Sequence, residues 1–469
     1  MTASPYFVFG PNTVLGINGL MQGRNRMPAI PARDWRTVTV DVVIHAFNEE
    51  DNILRCLASL TQQTLRPRKI VVVDDGSADL TGPRALRFGC VAGICVDVVT
   101  RLNSIGKAMS IKEQARALDS DVLFVLDADA ILESDTYVER TVQGLYQGVG
   151  IASACGSILP LREIDRDAID ESAPIRAFIE ASPSYSPPSK KNWLRRLAAA
   201  TTNMYREVLY LFLQRLVSQG QMAAFGTINN PAGCAVAYRR AYLNRLFNRV
   251  HPAPADHLTK SEEIFIGLAT LNEGYRNIQV LDVCARTTEP EVQRLTQQVD
   301  SRSSAFFHST LYFDALLKSR WFLLTSAIER VVLPTMILIM ILLGWWKALA
   351  VIIVMEMLLS VTTLVLVMKG RRLEFLLKGI AVAPIRYALL ASELRTMARF
   401  AVEVWLLDER PFRYQECRAI AAPSRASAEL PHFDNRRDDR GSSGRARTVP
   451  LVARPTTSGS QPAHANPRR

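Results

Sequence analysis

The sequence predicts an α/β domain built on a parallel sheet covered on both faces, followed by membrane helices. Three observations carry this prediction. Short β-branched runs alternate with helical periods from residue 37 to 126, acidic clusters fall at the ends of those runs, and two long apolar stretches follow residue 328.

A chain of 469 residues is long enough for a large core with appendages, and its 48% hydrophobic and 22% charged residues are globular values. The net charge of +11 is concentrated at the end, roughly half of it beyond residue 416 in a stretch that includes Arg436, Arg437, Arg440, Arg445 and Arg447. No aromatic residues interleave with these arginines, so the tail points to an anionic membrane surface and no nucleic-acid partner is expected. The seven cysteines form no CxxC pair and read as buried reduced thiols. The first forty residues lack a basic segment followed by an apolar one, so the N-terminal domain is expected in the cytosol.

Residues 1–36 have no clear period and read as a loosely structured leader. Val38 to Ile44 reads as a strand, and Asn48-Glu49-Glu50-Asp51 opens a helix to about Gln63. Ile70 to Val73 is a buried strand that ends in Asp74-Asp75-Gly76-Ser77. A helix (about 79–88), a strand (Ile94 to Val99), a helix (about 105–118) and a strand (Val122 to Leu126) follow. Ligands of such sheets sit at the carboxyl ends of the strands, where these acidic clusters lie. Residues 160–192, rich in charge, Pro and Ser, read as a loop or insertion. A helix over about 193–219 carries Tyr205, Tyr210 and Phe212, facing either core or membrane interface. The Asn230-Pro231-Ala232-Gly233 turn leads into another strand, a helix starts near Ser261, and Asn277 to Cys284 returns as a strand.

The membrane part reads as two spans, about 328–346 and 348–368, long enough to cross a bilayer. Lys369, Arg371 and Arg372 after the second span place that end in the cytosol. A third stretch, about 375–394, holds Lys378, Pro384, Arg386 and Glu393 and reads as an interfacial helix. The domains expected are therefore a leader (1–36), a cytosolic α/β domain (37–318), a membrane region (319–410) and a basic disordered tail (411–469). The expected location is a bacterial-type inner membrane, crossed more than once.

Asp127-Ala128-Asp129 ends the strand at Leu126, and alternation at a strand end lets Asp127 and Asp129 project the same way. Two hard oxygen ligands beside a diphosphate suit Mg²⁺ or Mn²⁺. Asp74 and Asp75 could accept from a base N–H or ribose hydroxyl, and Lys107, at a helix start after Asn103-Ser104-Ile105-Gly106, favours phosphate oxygens.

Taken together, these residues resemble the family 2 glycosyltransferases of the GT-A fold, from Val40 to about Phe313. The resemblance rests on His45-Ala46-Phe47-Asn48-Glu49-Glu50, Val73-Asp74-Asp75-Gly76-Ser77, Gly106-Lys107-Ala108 and Asp127-Ala128-Asp129, in this order. It implies a mixed, mainly parallel sheet and a nucleotide-sugar donor, with UDP-sugar as the expected one. The donor would be held by Asn48, Glu49, Asp74, Asp75, Lys107 and Asp127, with Asp127 and Asp129 on the metal. It also implies a general base in Ser261-Glu262-Glu263, with Glu263 at the base position and Glu262 beside it. Gly233 matches the family's acceptor-side glycine segment. Gln297 to Phe307 is placed like the Gln-x-x-Arg-Trp segment of hyaluronan, chitin-oligosaccharide and cellulose synthases. Counting from Gln298, however, Ser301 stands where Arg is expected and Arg302 where Trp is expected. Gln298 and Arg302 are then donor-side candidates, and Phe306 or Phe307 the replacement for the acceptor-stacking ring.

The implied function is inverting, metal-dependent extension of a polysaccharide at the membrane, with membrane lipids as partners and a second subunit for export left open. Two alternatives are single addition of a sugar to a lipid acceptor, and a non-catalytic scaffold that binds a sugar nucleotide.

Overall fold

The computed structural model describes residues 10–22, 33–183, 185, 192–249, 261–289, 292–313, 316, 321–367 and 371–406. The tail expected from 411 onward lies outside them.

Eight strands form one sheet: β1 (Val40–Ala46), β2 (Lys69–Asp74), β3 (Val96–Thr100), β4 (Val122–Asp127), β5 (Ala130–Leu132), β6 (Ile151–Pro160), β7 (Ala235–Arg239) and β8 (Arg276–Thr287). Their order is β3-β2-β1-β4-β7-β6-β8-β5. The first four pair in parallel, β7 runs antiparallel to both β4 and β6, and β8 runs parallel to β6 and antiparallel to β5. The sheet is thus mixed and mainly parallel, as the resemblance implied. β1 and β4 are buried along almost their whole length, which is why they read as continuous apolar runs rather than alternating ones. Crossover helices Ile53–Thr61, Thr81–Ala92 and Lys107–Ala117 connect the parallel strands within a few residues of the expected bounds.

Two expectations from the sequence are corrected. The insertion at 160–192 contains two short helices, Glu163–Asp170 and Ala173–Ala181. Arg55 pins the first of them through a two-point ion pair with Asp170 (2.6 and 2.8 Å), a long-range contact invisible to local composition. The leader is not uniformly loose either: Pro11–Gln22 is a helix. It packs where three glycines meet. A Cβ on Gly16 would stand 2.7 Å from Leu216 Cγ, and one on Gly220 would stand 2.6 Å from Leu15 O and overlap Gly16 Cα. Asn12 donates to Glu329 Oε2 at 2.5 Å and accepts from Ser326 Oγ at 3.0 Å. Gly220→Val is therefore expected to cost about 1–3 kcal/mol, read as a lowered Tm that Gly220→Ala shows to a smaller degree.

Helix Trp193–Phe212 runs into a π-helical turn, Leu213–Ser218, and on into Gln219–Phe225. The wide turn carries the Gln214 carboxamide to β6, where it accepts from Ile158 N (2.7 Å) and donates to Ile158 O (2.8 Å). That staple lays Tyr205, Tyr210 and Phe212 inward, all buried, and settles the core-or-interface alternative for this helix.

The apolar C-terminal region forms helices Trp321–Leu342, Trp346–Val367 and Arg372–Ala401. Each of the first two has 22 residues. Among the described residues, the helix long and apolar enough to cross a membrane is Arg372–Val404, whose most apolar window is 47% buried. That is the stretch assigned above to the interface, so two spans with a third helix lying flat is not the division this helix suggests. The sequence assignment weighed its four polar and Pro positions, yet Glu393 and Arg386 are buried against neighbouring helices.

Candidate active site

Parallel register sets His45 of β1 between Val73 of β2 and Asp127 of β4, and Ala46 beside Asp74. Three strand ends therefore stop at one rim. Beyond it the backbone is pinned on both sides: Asp127 N donates to Cys234 O (2.9 Å) and Ala128 N to His45 O (3.1 Å). β4 stops at Asp127 and β5 resumes at Ala130, so a turn, not strand alternation, carries Asp129. Asp127 and Asp129 are half-buried either side of buried Ala128.

A cavity of about 450 Å³ opens over this rim, and Glu49, Lys107, Asp127, Asp129, Gly233, Glu262, Glu263, Gln298 and Arg302 all line it. Nine candidates far apart in the chain are thus brought together. Lys107, at the start of its helix, uses its ammonium three ways, with Asp127 Oδ1 at 2.6 Å, Glu262 Oε1 at 2.5 Å and Gly233 O at 2.8 Å. Burial opposes its charge, but the two carboxylates hold its pKa well above the usual lysine range. It therefore remains a cation, and it clamps β4 to the helix Glu262–Asn272 and to the glycine turn.

The two adjacent glutamates face different partners. Glu262 belongs to Lys107; burial pushes its carboxyl up against that cation's pull. Glu263 faces Arg302, whose Nε lies 3.9 Å from Oε1. Burial works against its ionisation, but Arg302 keeps the Glu263 carboxyl below the ordinary range, so it is an ionised acceptor at neutral pH. Gly233 needs to be small, because a Cβ there would stand 3.2 Å from Glu263 Cβ and Cδ.

Five candidates lie elsewhere. Asn48, at φ 54°, accepts a hydrogen bond from Ala78 N on its Oδ1 (2.9 Å), while its own N–H donates to Ser77 Oγ (2.9 Å). Asp74 accepts from Ser77 N at 3.0 Å. Asp75 is saturated by Arg101 Nη1 (2.8 Å), Ser104 Oγ (2.7 Å), Ile105 N (3.1 Å) and Gly106 N (2.9 Å). Although burial opposes this, those bonds hold the Asp75 carboxyl below its ordinary range. None of the three lines the cavity. They order the loops around it: Gly76 turns at φ 88° and Ser104 N would stand 3.2 Å from a Cβ there. Phe306 and Phe307 are both 3% exposed, with Phe307 stacked on Phe400 at 5.4 Å and Phe306 beneath the Arg330 guanidinium at 4.5 Å. Buried as packing residues, they offer no stacking face to an acceptor, which corrects that assignment.

Arg206 and Glu289, which the sequence left unassigned, also line the cavity, together with His45 of the opening loop and Tyr210 of the aromatic helix. Arg206 Nε and Glu289 Oε2 pair at 3.2 Å with side chains 3% exposed, and Tyr210 lines the cavity with them. Glu289 lies two residues past the end of β8, an acid just beyond a strand end as Asp129 is beyond β4. His45 has a buried Nδ1 without a partner among the described residues. Burial, with Lys107 close by, lowers its pKa to about 4, so the imidazole is neutral.

The acidic wall is short of positive charge around Asp129. No side-chain hydrogen bond or ion pair reaches this carboxylate among the described residues, and burial, followed by Asp127, Glu49 and Glu289, pushes its carboxyl well up. A divalent cation there would relieve the repulsion. No cluster of three His, Cys, Asp or Glu side chains able to hold a metal occurs among the described residues. Asp127 and Asp129 offer hard carboxylate oxygens, a donor set that fits Mg²⁺ or Mn²⁺ with phosphate and water completing the shell.

Carboxylates gathered at the ends of parallel strands, around a cavity with a clamped lysine, are the design of an α/β domain that handles a polar, anion-bearing ligand. Comparison with known proteins points to a family: residues 41–160 match the model of glycosyl transferase family 2. It is 27% identical over 130 residues to the O-antigen chain rhamnosyltransferase RfbN of Salmonella typhimurium, covering 28% of this chain and 40% of that protein. It is 34% identical over 111 residues to the 4,4'-diaponeurosporenoate glycosyltransferase of Staphylococcus haemolyticus, covering 23% of this chain and 28% of that one. The chain thus spans less than half the length of either curated relative. Among solved structures, the mannosyltransferase PcManGT from Pyrobaculum calidifontis, in complex with GDP-Man and Mn²⁺, aligns at 15% identity and a TM-score of 0.46, over 84% of this chain and 94% of that one.

Proposed function

We propose that the chain is an inverting, metal-dependent glycosyltransferase that moves a sugar from a nucleoside-diphosphate sugar to an acceptor presented at a membrane. One observation carries the reading: the Asp127–Asp129 turn and the Glu262–Glu263 helix start, more than 130 residues apart in sequence, line one cavity.

Asp127 and Asp129 would hold the metal, whose charge offsets that building on the leaving diphosphate. Burial raises the Asp127 carboxyl, and Lys107 pulls against that rise while holding the side chain at the rim. Glu263, kept ionised by Arg302, is the group placed to take the proton from the acceptor hydroxyl as that oxygen attacks the anomeric carbon. Attack from the side opposite the leaving group inverts the configuration. Glu262, committed to Lys107, is a positioning residue.

The segment Gln298 to Phe307 contributes Gln298, Val299, Ser301, Arg302 and Ser303 to the cavity, whose aromatic side chains are Phe47, Tyr205 and Tyr210. Ser301 and Arg302, standing where Arg and Trp are expected, support addition of a single sugar over polymer extension. A membrane location is supported by the exposed apolar side chains of Trp321–Leu342 and Trp346–Val367, among them Met336, Ile339, Leu342, Val351 and Leu358. In the test, detergent-purified protein is screened with UDP-, GDP- and dTDP-sugars, reading nucleoside diphosphate release and product length. Release that requires Mn²⁺ or Mg²⁺, with one sugar added per acceptor, is the expected result. No release with any donor would sink the assignment, and long polymer would overturn the single-addition reading.

A further inference from the structure

β8 delivers two polar side chains to the cavity at a place the sheet fixes firmly. Its last residue, Thr287, opposes Ala130 of β5 on one side and Pro160 of β6 on the other. Leu161 N donates to the Thr287 carbonyl at 2.8 Å. One residue on, Thr288 N donates to Asp129 O at 3.1 Å, so Thr288 and Glu289 leave the sheet against the Asp127–Asp129 turn. Both side chains line the cavity. Each keeps a buried oxygen, Thr288 Oγ1 and Glu289 Oε1, with no hydrogen-bond partner among the described residues.

Glu289 is held through its other oxygen. Arg206 Nε pairs with Oε2 at 3.2 Å, and Arg206 Nη2 donates to Gln298 Oε1. The guanidinium is itself braced by the Tyr205 and Tyr210 rings, with centroids 6.0 and 5.7 Å away. The arginine thus fixes the carboxylate and leaves Oε1 with lone pairs to fill. A buried acceptor without a donor costs free energy unless a ligand supplies one. A phosphate would be repelled here, whereas a hydroxyl can donate to the carboxylate, and Thr288 can both donate and accept. A polyhydroxy ring meets both groups.

In glycosyl transfer the ring being moved lies between the leaving diphosphate and the group that takes the acceptor's proton. Asp127, Asp129 and Glu263 line the cavity that Thr288 and Glu289 share. We propose that Glu289 and Thr288 form the subsite that reads hydroxyls of the transferred sugar, with Glu289 Oε1 accepting from one of them. The proposal rests on the transferase reading for the sugar's role as donor, but recognition of its hydroxyls does not, and the experiment separates the two. Full-length protein in detergent, with Mn²⁺ and no acceptor, is titrated with UDP-glucose, UDP-galactose and GDP-mannose. Their singly deoxygenated forms are titrated alongside, as are UDP and GDP alone.

The intact protein is expected to bind a sugar nucleotide more tightly than its nucleoside diphosphate, and to lose about 10- to 100-fold in affinity when one particular ring hydroxyl is missing. In Glu289→Gln, and in the near-isosteric Thr288→Val, that loss should shrink about 5-fold or more at the hydroxyl each residue reads and stay as it was at the others. Affinities for Mn²⁺ and for the nucleoside diphosphates should stay near those of the intact protein in both variants, which guards against loss through misfolding. Unchanged discrimination among the deoxygenated forms would leave Glu289 as a packing partner of Arg206 and overturn the proposal. A loss confined to Mn²⁺ would overturn it by making Glu289 a metal ligand. Hydroxyl-dependent binding through Glu289 by a protein that transfers nothing to any acceptor would keep this subsite and end the transferase reading instead.

Discussion

Asp129→Asn is expected to lower sugar transfer about 10³-fold, to weaken Mn²⁺ binding, and to leave the metal-free protein as stable as before or more so. The two halves of this result come from one fact. Asp129 is half-buried among Asp127, Glu49 and Glu289, with no ion pair to its carboxylate among the described residues. A carboxyl whose folded pKa is raised above its unfolded value destabilises the fold once it is ionised. That cost is absent at low pH and grows as pH rises through the unfolded pKa. An amide of the same shape has no charge to lose and none to repel. Transfer should fall while Tm in EDTA holds or rises, the signature of a residue kept for function against stability. Retained transfer would remove Asp129 from the metal site. A Tm drop of many degrees would instead make it a structural residue.

Glu263→Gln is expected to lower kcat about 10²- to 10⁴-fold while donor affinity stays near that of the intact protein. The amide keeps the packing against Gly233 and a contact for Arg302 but cannot take a proton. The adjacent Glu262→Gln tests the assignment from the other side. It removes the 2.5 Å partner of Lys107, and the lysine is left with Asp127 and Gly233 O. Its effect should fall on donor binding and stability more than on kcat. The two variants therefore split KM from kcat in opposite senses. If Glu262→Gln is the one that abolishes turnover with donor binding intact, the base is Glu262.

Much of the donor half was legible because its signals are local. Asp127-Ala128-Asp129 and Lys107 follow buried strands or open helices, and strand ends on a parallel sheet converge by covalent order alone. Asp75 shows the limit of the same logic. It stands at a strand end like Asp127, but Arg101, Ser104 and two backbone N–H groups claim its carboxylate. Whether a strand-end aspartate is free for a ligand depends on which loop folds over it. Phe306 and Phe307 erred for the reverse reason: a helical period cannot say which face meets Phe400 and which meets the cavity.

What the sequence by itself determined is the α/β order, the parallel core and the rim on which the acids gather, since these follow from periodicity along the chain. Only the tertiary structure decided which of them share a cavity. It paired Arg206 with Glu289, 83 positions on, and brought Arg330 to the same cavity. It also turned Gly16, Gly19 and Gly220 from an unpatterned leader and a helix end into one close crossing. Each of these is a contact between elements distant in the chain. Its energy exists only after docking has excluded water and set the distance, so no window of sequence contains it.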